Sequence, residues 1–454
     1  MTGTTREIAT WVSGLRHKDI PDHVRQALRL LALDTVGAAL IGMVQPWTQA
    51  IRAWALAGAP GPASTGRARI WGEGTAVLRA ADAALVNGAA AHAYELDDFH
   101  NAKLHPGAVV LPAALALGEA LDADGALVET ALAAGYEVMI RTSLAMDPSV
   151  GRLRGWHLTG VCGTFGAAAA GAVLLGLDAE RTAWALGLAG TQSAGTWAFN
   201  ADGASSKRLH PGRSAQSGVM AAELAALGFT GPTAFYETLD GGLLSTFVGG
   251  GDLSQLTDGL GTKWHAADTS MKPYSCCGSL HAHIDAVLAL RDLWQPGKRV
   301  RLGLANVIKV QCGFDYEPSS ELNAQMSARY CAAVAMLDGQ ALPAQFSPAR
   351  IADPRVTELA QSIEIVHEPR HDPLYPKRFC GWAEIETAGG KLERVEVMDP
   401  SGNPANPAMP AALQQKFSQL VAPMIGGNRA TEVRESFAHL GERRARRVVD
   451  TVAA

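Results

Sequence analysis

The segment ELDDFHNAKLH (95–105) sets Glu95, Asp97, Asp98, His100, Lys103 and His105 within eleven residues, and a purely apolar stretch follows. A charge taken from water without a partner costs on the order of several kcal/mol. So dense a mixture is therefore either solvated or used. If used, it offers what proton transfer requires, namely groups that can be tuned above and below neutral pH.

Further clusters join it. His157 stands just ahead of a Gly/Ala-rich stretch in GWHLTGVCGTFGAAAAGAVLLGL (155–177). SSKRLHPGRSAQSG (205–218) carries Lys207, Arg208, His210 and Arg213, and KPYSCCGSLHAHIDA (272–286) carries Lys272, Tyr274, His281 and His283. Tyr316 and Glu321 form a weaker group. His-Pro-Gly occurs at 105–107 and again at 210–212, each time read as lying immediately before a helix. A helix start offers free N–H groups and a positive dipole end. Two such starts with Lys207, Arg208, Arg213 and Lys272 would make a receptor for carboxylates, so a small polycarboxylic acid is the expected ligand.

Each residue also has a plain structural reading. Asp97 and Asp98 could cap a helix, His157 could be a core imidazole, and Lys207 and Arg208 could be a solvated pair. The functional case rests on the coincidence of the clusters. The spacing of Asp97, Asp98, His100 and His105 matches no established metal-ligand pattern, and no metal is expected. No phosphate-binding loop or strand–G-x-G-x-x-G–helix unit is present, so no nucleotide or nicotinamide cofactor is expected, and no G-x-S-x-G elbow supports a serine hydrolase.

Composition bounds the class. The 454 residues are 48% hydrophobic and 18% charged, the balance of a well-buried globular chain. The formal net charge of −5 and the lack of a basic stripe argue against nucleic acid. Six cysteines without a C-x-x-C pair, and a leading segment without a long apolar core, predict free thiols and a cytoplasmic location. The uncharged run 158–177 is Gly-rich and reads as a buried helix, so no membrane partner is expected.

The elements that must position these residues are mostly helices. Apolar spacing predicts helices over 21–43, 78–94, 108–121, 126–146, 160–177, 179–188 and 211–227, with no persistent strand alternation before residue 266. Beyond it, 306–312 and 362–366 alternate as half-buried strands. Segments 382–387 and 392–397 flank Gly389-Gly390 as a hairpin, and a helix is expected over 321–337. A Pro-rich connector spans 401–410, and helical character returns from 411. The expected fold is mainly α. Residues 1–265 and 411–454 are expected to form a large all-helical domain, and 266–410 a smaller α+β domain.

The segments 86–119, 155–170, 205–232 and 272–286 resemble the MmgE/PrpD family, and the similarity spans nearly the whole chain. That family includes 2-methylcitrate dehydratase, cis-aconitate decarboxylase and iminodisuccinate epimerase. The resemblance implies a homodimer that needs no metal or organic cofactor, in which the α+β domain is a lid and the active site lies between it and the helical domain. Matched positions are Glu95, Asp97, Asp98, His105, His157, Lys207 and Lys272. Three positions depart from the pattern. Glu95 replaces a commoner Asp, and Phe99 and Cys312 stand where decarboxylase-like members carry Thr and Tyr. These departures argue against decarboxylation. The expectation is a cofactor-independent hydro-lyase resembling 2-methylcitrate dehydratase. His105, His157, Asp97, Lys207 and Lys272 would be catalytic. Glu95, Asp98, Phe99, Lys103, Arg208, His210 and Tyr274 would bind substrate. An epimerase or decarboxylase on the same scaffold, or a non-catalytic carboxylate-binding protein, are the alternatives.

Overall fold

The structure, a computed structural model, describes residues 3–59, 67–74 and 76–453. It is mainly α. Helices run over Asp22–Gly42, Ala80–Ala91, Gly107–Leu121, Gly125–Ala145, Leu158–Leu174, Ala179–Gly190 and Ser206–Ala226. They are rich in Ala and Gly because they pack at very short range. A Cβ on Gly88 would lie 2.9 Å from the Gly212 Cα, and one on Gly135 would lie 2.9 Å from the Gly166 carbonyl oxygen. The first contact presses Ser206–Ala226 onto Ala80–Ala91. It thereby brings Lys207 and Arg208, in the first turn of one helix, to the chain leaving the other.

The buried apolar side chains form two clusters. One draws on residues 8–271 and again on 409–453, and includes Val110, Phe165, Phe437 and Val449. The other is built from Phe199 and residues 276–385, and includes Leu302, Tyr330, Phe346 and Ile385. In the first half, β1 (Arg67–Arg69) pairs antiparallel with β2 (Val77–Arg79). Three-residue strands are too short to show alternation, which is why no strand was expected there. The second cluster packs on a four-stranded sheet of order β4-β3-β5-β6. Its strands are β3 (Val300–Leu304), β4 (Glu364–His367), β5 (Gly381–Glu386) and β6 (Leu392–Val397). β3 runs parallel to β4 and antiparallel to β5. The β5–β6 hairpin has the expected register, Glu386 opposite Leu392, and Gly390 takes φ +78° at its turn.

Three expectations are corrected. Asn306–Cys312 is a helix, not a strand. Ile308, Val310 and Cys312 alternate, but Ile308 and Cys312 are buried while Val310 between them is exposed, the four-residue spacing of a helix face. The helix expected over 321–337 is two, Glu321–Met326 and Ala328–Asp338, broken at Ser327, whose hydroxyl accepts the Tyr330 N–H as a new cap. His210-Pro211-Gly212 lies inside the helix that begins at Ser206, not ahead of it. Pro211 forfeits one helical N–H there without ending the helix.

The last helices, Met409–Leu420, Gly427–Ala438 and Ala445–Ala453, return to the first cluster. Among the described residues no single helix is long and apolar enough to cross a membrane. Gly212→Ala should destabilise the protein by about 1–3 kcal/mol, the usual penalty of overpacking, read as a lowered urea midpoint. A midpoint equal to wild type would show that the two helices do not need this approach.

Candidate active site

Ala80–Ala91 ends at His92, and the chain turns sharply. Glu95 takes φ +56° and Lys103 φ +60°, both left-handed and both non-glycine, a conformation costing on the order of 1–3 kcal/mol. The turn is stapled by Asp98. One oxygen accepts the Gly107 N–H (2.8 Å) at the start of the helix Gly107–Leu121, and the other accepts the Tyr136 hydroxyl (2.7 Å). Burial pushes the Asp98 carboxyl up to about 8 against these donors. Asp98 is thus a helix-start anchor and does not line the cavity expected to bind substrate.

Glu95 is 1% exposed and meets three cations. The Lys207 ammonium pairs with one of its oxygens, Arg208 Nη1 donates to the same oxygen at 2.9 Å, and Lys272 Nζ donates to the other at 3.1 Å. Burial alone would raise the Glu95 carboxyl, but Lys207, Lys272 and Arg208 together hold it well below the usual range. Burial pushes the Lys207 ammonium down against the pull of Glu95. At Lys272 it is outweighed by Glu95 and Asp97, which raise it. Three cations on one carboxylate leave an excess of two positive charges. Lys416 frames the group from the far end of the chain. It pairs with Asp34 and donates to the Leu96 and Lys272 carbonyls, each at 2.9 Å.

Beside this cluster lies a set of imidazoles. His92 Nδ1 bonds the Asp97 carboxylate at 2.7 Å, and His105 Nδ1 lies 3.3 Å from the same oxygen and 2.9 Å from the Asp98 carbonyl. Burial drops His92 to about 4, so it is neutral and donates to Asp97. Asp97 is held well below the usual range by His92 and His105, despite burial that opposes ionisation. His157, at the start of the helix Leu158–Leu174, shares a 2.9 Å Nδ1–Nδ1 hydrogen bond with His210. Burial, with His210 and Lys207, pushes His157 well below its ordinary value. Among the described residues neither His105 nor His157 has a hydrogen bond at Nε2.

A cavity of about 630 Å3 opens on these groups, and Glu95, Phe99, Lys103, His105, His157 and Lys207 line it. Asp97, Lys272, Arg208 and His210 stand behind that wall and touch its members. Two expected residues point elsewhere. The Tyr274 hydroxyl donates to Asp285, and Tyr274 lines a separate surface cavity. Arg213 is exposed and donates to Gln216, because six residues of helix turn it about 120° away from Lys207. The lining also holds residues the sequence did not single out, among them Arg152, Trp197, Ser279, Gln311 and Tyr375. Cys277 lines it too. Its neighbour Cys312 and the Ser279 amide draw its thiol below the ordinary value despite burial. His92 was legible only as a lone histidine three residues before Glu95.

Two donor groups among the described residues are close enough to share a cation: His92, Asp97 and His105, and His100, His265 and Asp268. In the first, both Nδ1 atoms already turn to Asp97. In the second, His100 Nδ1 accepts the Ala102 N–H, which keeps the neutral ring's proton on Nε2. Neither arrangement leaves a full set of free lone pairs.

Residues 6–256 match the MmgE/PrpD N-terminal domain, and residues 274–441 match the MmgE/PrpD C-terminal domain. The chain belongs to the MmgE/PrpD family. Cis-aconitate decarboxylase of Aspergillus terreus (strain NIH 2624 / FGSC A1156) is 30% identical over 460 residues, covering 96% of this chain and 92% of that protein. The cis-aconitate decarboxylase-like protein oryM of Aspergillus oryzae (strain ATCC 42149 / RIB 40) is also 30% identical, covering 96% and 94%. Human cis-aconitate decarboxylase is 29% identical, covering 83% and 79%. The second matched domain runs past the Pro-rich connector and takes in helices that pack on the larger core.

Asp97 provides a pH test. Its folded carboxyl titrates below the unfolded value of about 3.9, so its stabilisation is complete above that pH and lost as pH falls through the folded value. Asp97→Asn should flatten the acid limb of a stability–pH curve measured by urea unfolding. An unchanged limb would show that the carboxylate is not held by His92 and His105.

Proposed function

We propose that this protein is a lyase that removes water from a small, citrate-like di- or tricarboxylic acid by proton transfer next to a carboxylate. One observation carries the reading. Two imidazoles with free Nε2 atoms face a single cavity whose wall carries an excess of positive charge. The substrate carboxylate docks at Lys207, with Lys272 and Arg208 behind it. Positive charge there stabilises the electron pair that develops on the adjacent carbon. His157, neutral by burial, takes the proton from that carbon. The pair forms the C=C bond as the β-hydroxyl leaves, and His105, backed by Asp97, hands it a proton so that it departs as water. We further read the unit around the sheet as a lid over the helical body.

A second reading, decarboxylation of an aconitate-like acid, is favoured by the relatives. It needs one proton donor to the carbanion and no base, so it would leave one imidazole unused.

Incubation with 2-methylcitrate, citrate, cis-aconitate and iminodisuccinate in deuterated water, followed by NMR, separates the outcomes. Loss of water is expected. Loss of carbon dioxide would favour the second reading, and inversion would mark an epimerase. His105→Ala and His157→Ala should each lower turnover by roughly 10²–10⁴-fold, the usual worth of a general acid or base. Affinity changed with no turnover in any variant or wild type would mark a binding protein instead.

A further inference from the structure

We propose that Arg152 and Lys103 form a second carboxylate subsite in the cavity and are the residues by which it tells a diacid from a monoacid. The proposal rests on reading the cavity as a carboxylate site. Both residues line it, and neither belongs to the Glu95 cluster. Arg152 lies in the short helix Pro148–Leu153, with its guanidinium 3.8 Å over the Trp197 ring. Its Nε is buried without a hydrogen-bond partner. The Lys103 ammonium lies 5.2 Å over the Tyr375 ring. Among the described residues, no carboxylate lies within 4.0 Å of either cation. The nearby Asp147 is engaged in capping, accepting the Ser149 and Val150 N–H groups.

Five other sheltered cations are answered by a carboxylate. Lys207 and Lys272 meet Glu95, Lys416 meets Asp34, Arg141 meets Glu137, and Arg69 meets Glu119. The cavity pair is not. Burial pushes both below their ordinary values, Lys103 to about 8, and Arg152 repels Lys103 further. A carboxylate between them would relieve that repulsion. The Arg fork takes a carboxylate through two parallel N–H bonds, and the indole beneath fixes its plane. A monoacid can satisfy only the Lys207 wall, whereas a diacid satisfies both. Binding remote from the reacting carbon would then orient the substrate.

Calorimetric titration with tricarballylate, glutarate and butyrate tests this. Tricarballylate has neither hydroxyl nor C=C bond, so it reports binding whatever the reaction. Wild type should prefer tricarballylate to butyrate. Arg152→Met and Lys103→Met should each weaken tricarballylate and glutarate by about tenfold and leave butyrate nearly unchanged, with Arg152→Lys intermediate. Unfolding midpoints identify a variant that has not folded, in which case Arg152→Lys carries the test. Unchanged tricarballylate affinity, or an equal loss for butyrate, would overturn the subsite. Failure of wild type to bind any of the three acids would overturn the carboxylate-site reading and the subsite with it. Normal Arg152-dependent binding without turnover would overturn only the lyase.

Discussion

One buried carboxylate organises this molecule. Glu95 accepts from the adjacent Lys207 and Arg208 and from the distant Lys272, and so it fixes the relative positions of three segments. A charge in such a place is tolerable only with close, well-oriented partners. The partners here exceed what neutrality needs. The surplus makes the adjacent wall attractive to anions, and in a sheltered cavity that attraction is stronger than in water. Structure and proposed chemistry thus share one cause.

Everything around Glu95 serves its placement. The close packing of Gly88 against Gly212 sets the helix bearing Lys207 beside the turn bearing Glu95. Asp98 anchors the far end of that turn on the next helix, and Lys416 grips the backbone at Leu96 and Lys272 from the end of the chain. The left-handed backbone at Glu95 and Lys103 persists because these contacts over-determine it. The imidazoles are tuned by the same sheltering. Loss of water keeps His92 and His157 neutral, while Asp97 stays ionised by facing His92 and His105.

Much of this was legible in the sequence. Long apolar periodicities marked the main helices, and Gly389-Gly390 marked the hairpin. The density of charge at 95–105, with His157 and Lys207, marked one side of the cavity wall, and Lys272 stands behind it. What failed has physical causes. Asn306–Cys312 offered strand-like residue types, but burial at four-residue spacing made it a helix. Pro211 looked like a helix start, yet the helix absorbs it. Tyr274 sat in a rich motif but found Asp285. Arg152 and His92 could not be found because isolated residues carry no pattern, and only folding brings them to the cluster.

The central claim is energetic coupling between Glu95 and the cations it gathers. A double-mutant cycle on Glu95→Gln and Lys207→Met, read as unfolding free energy in urea, tests it most directly. The account expects the two single losses to exceed the double loss by at least about 1 kcal/mol. Losses that add to within about 0.5 kcal/mol would contradict it, because residues that share no interaction behave that way.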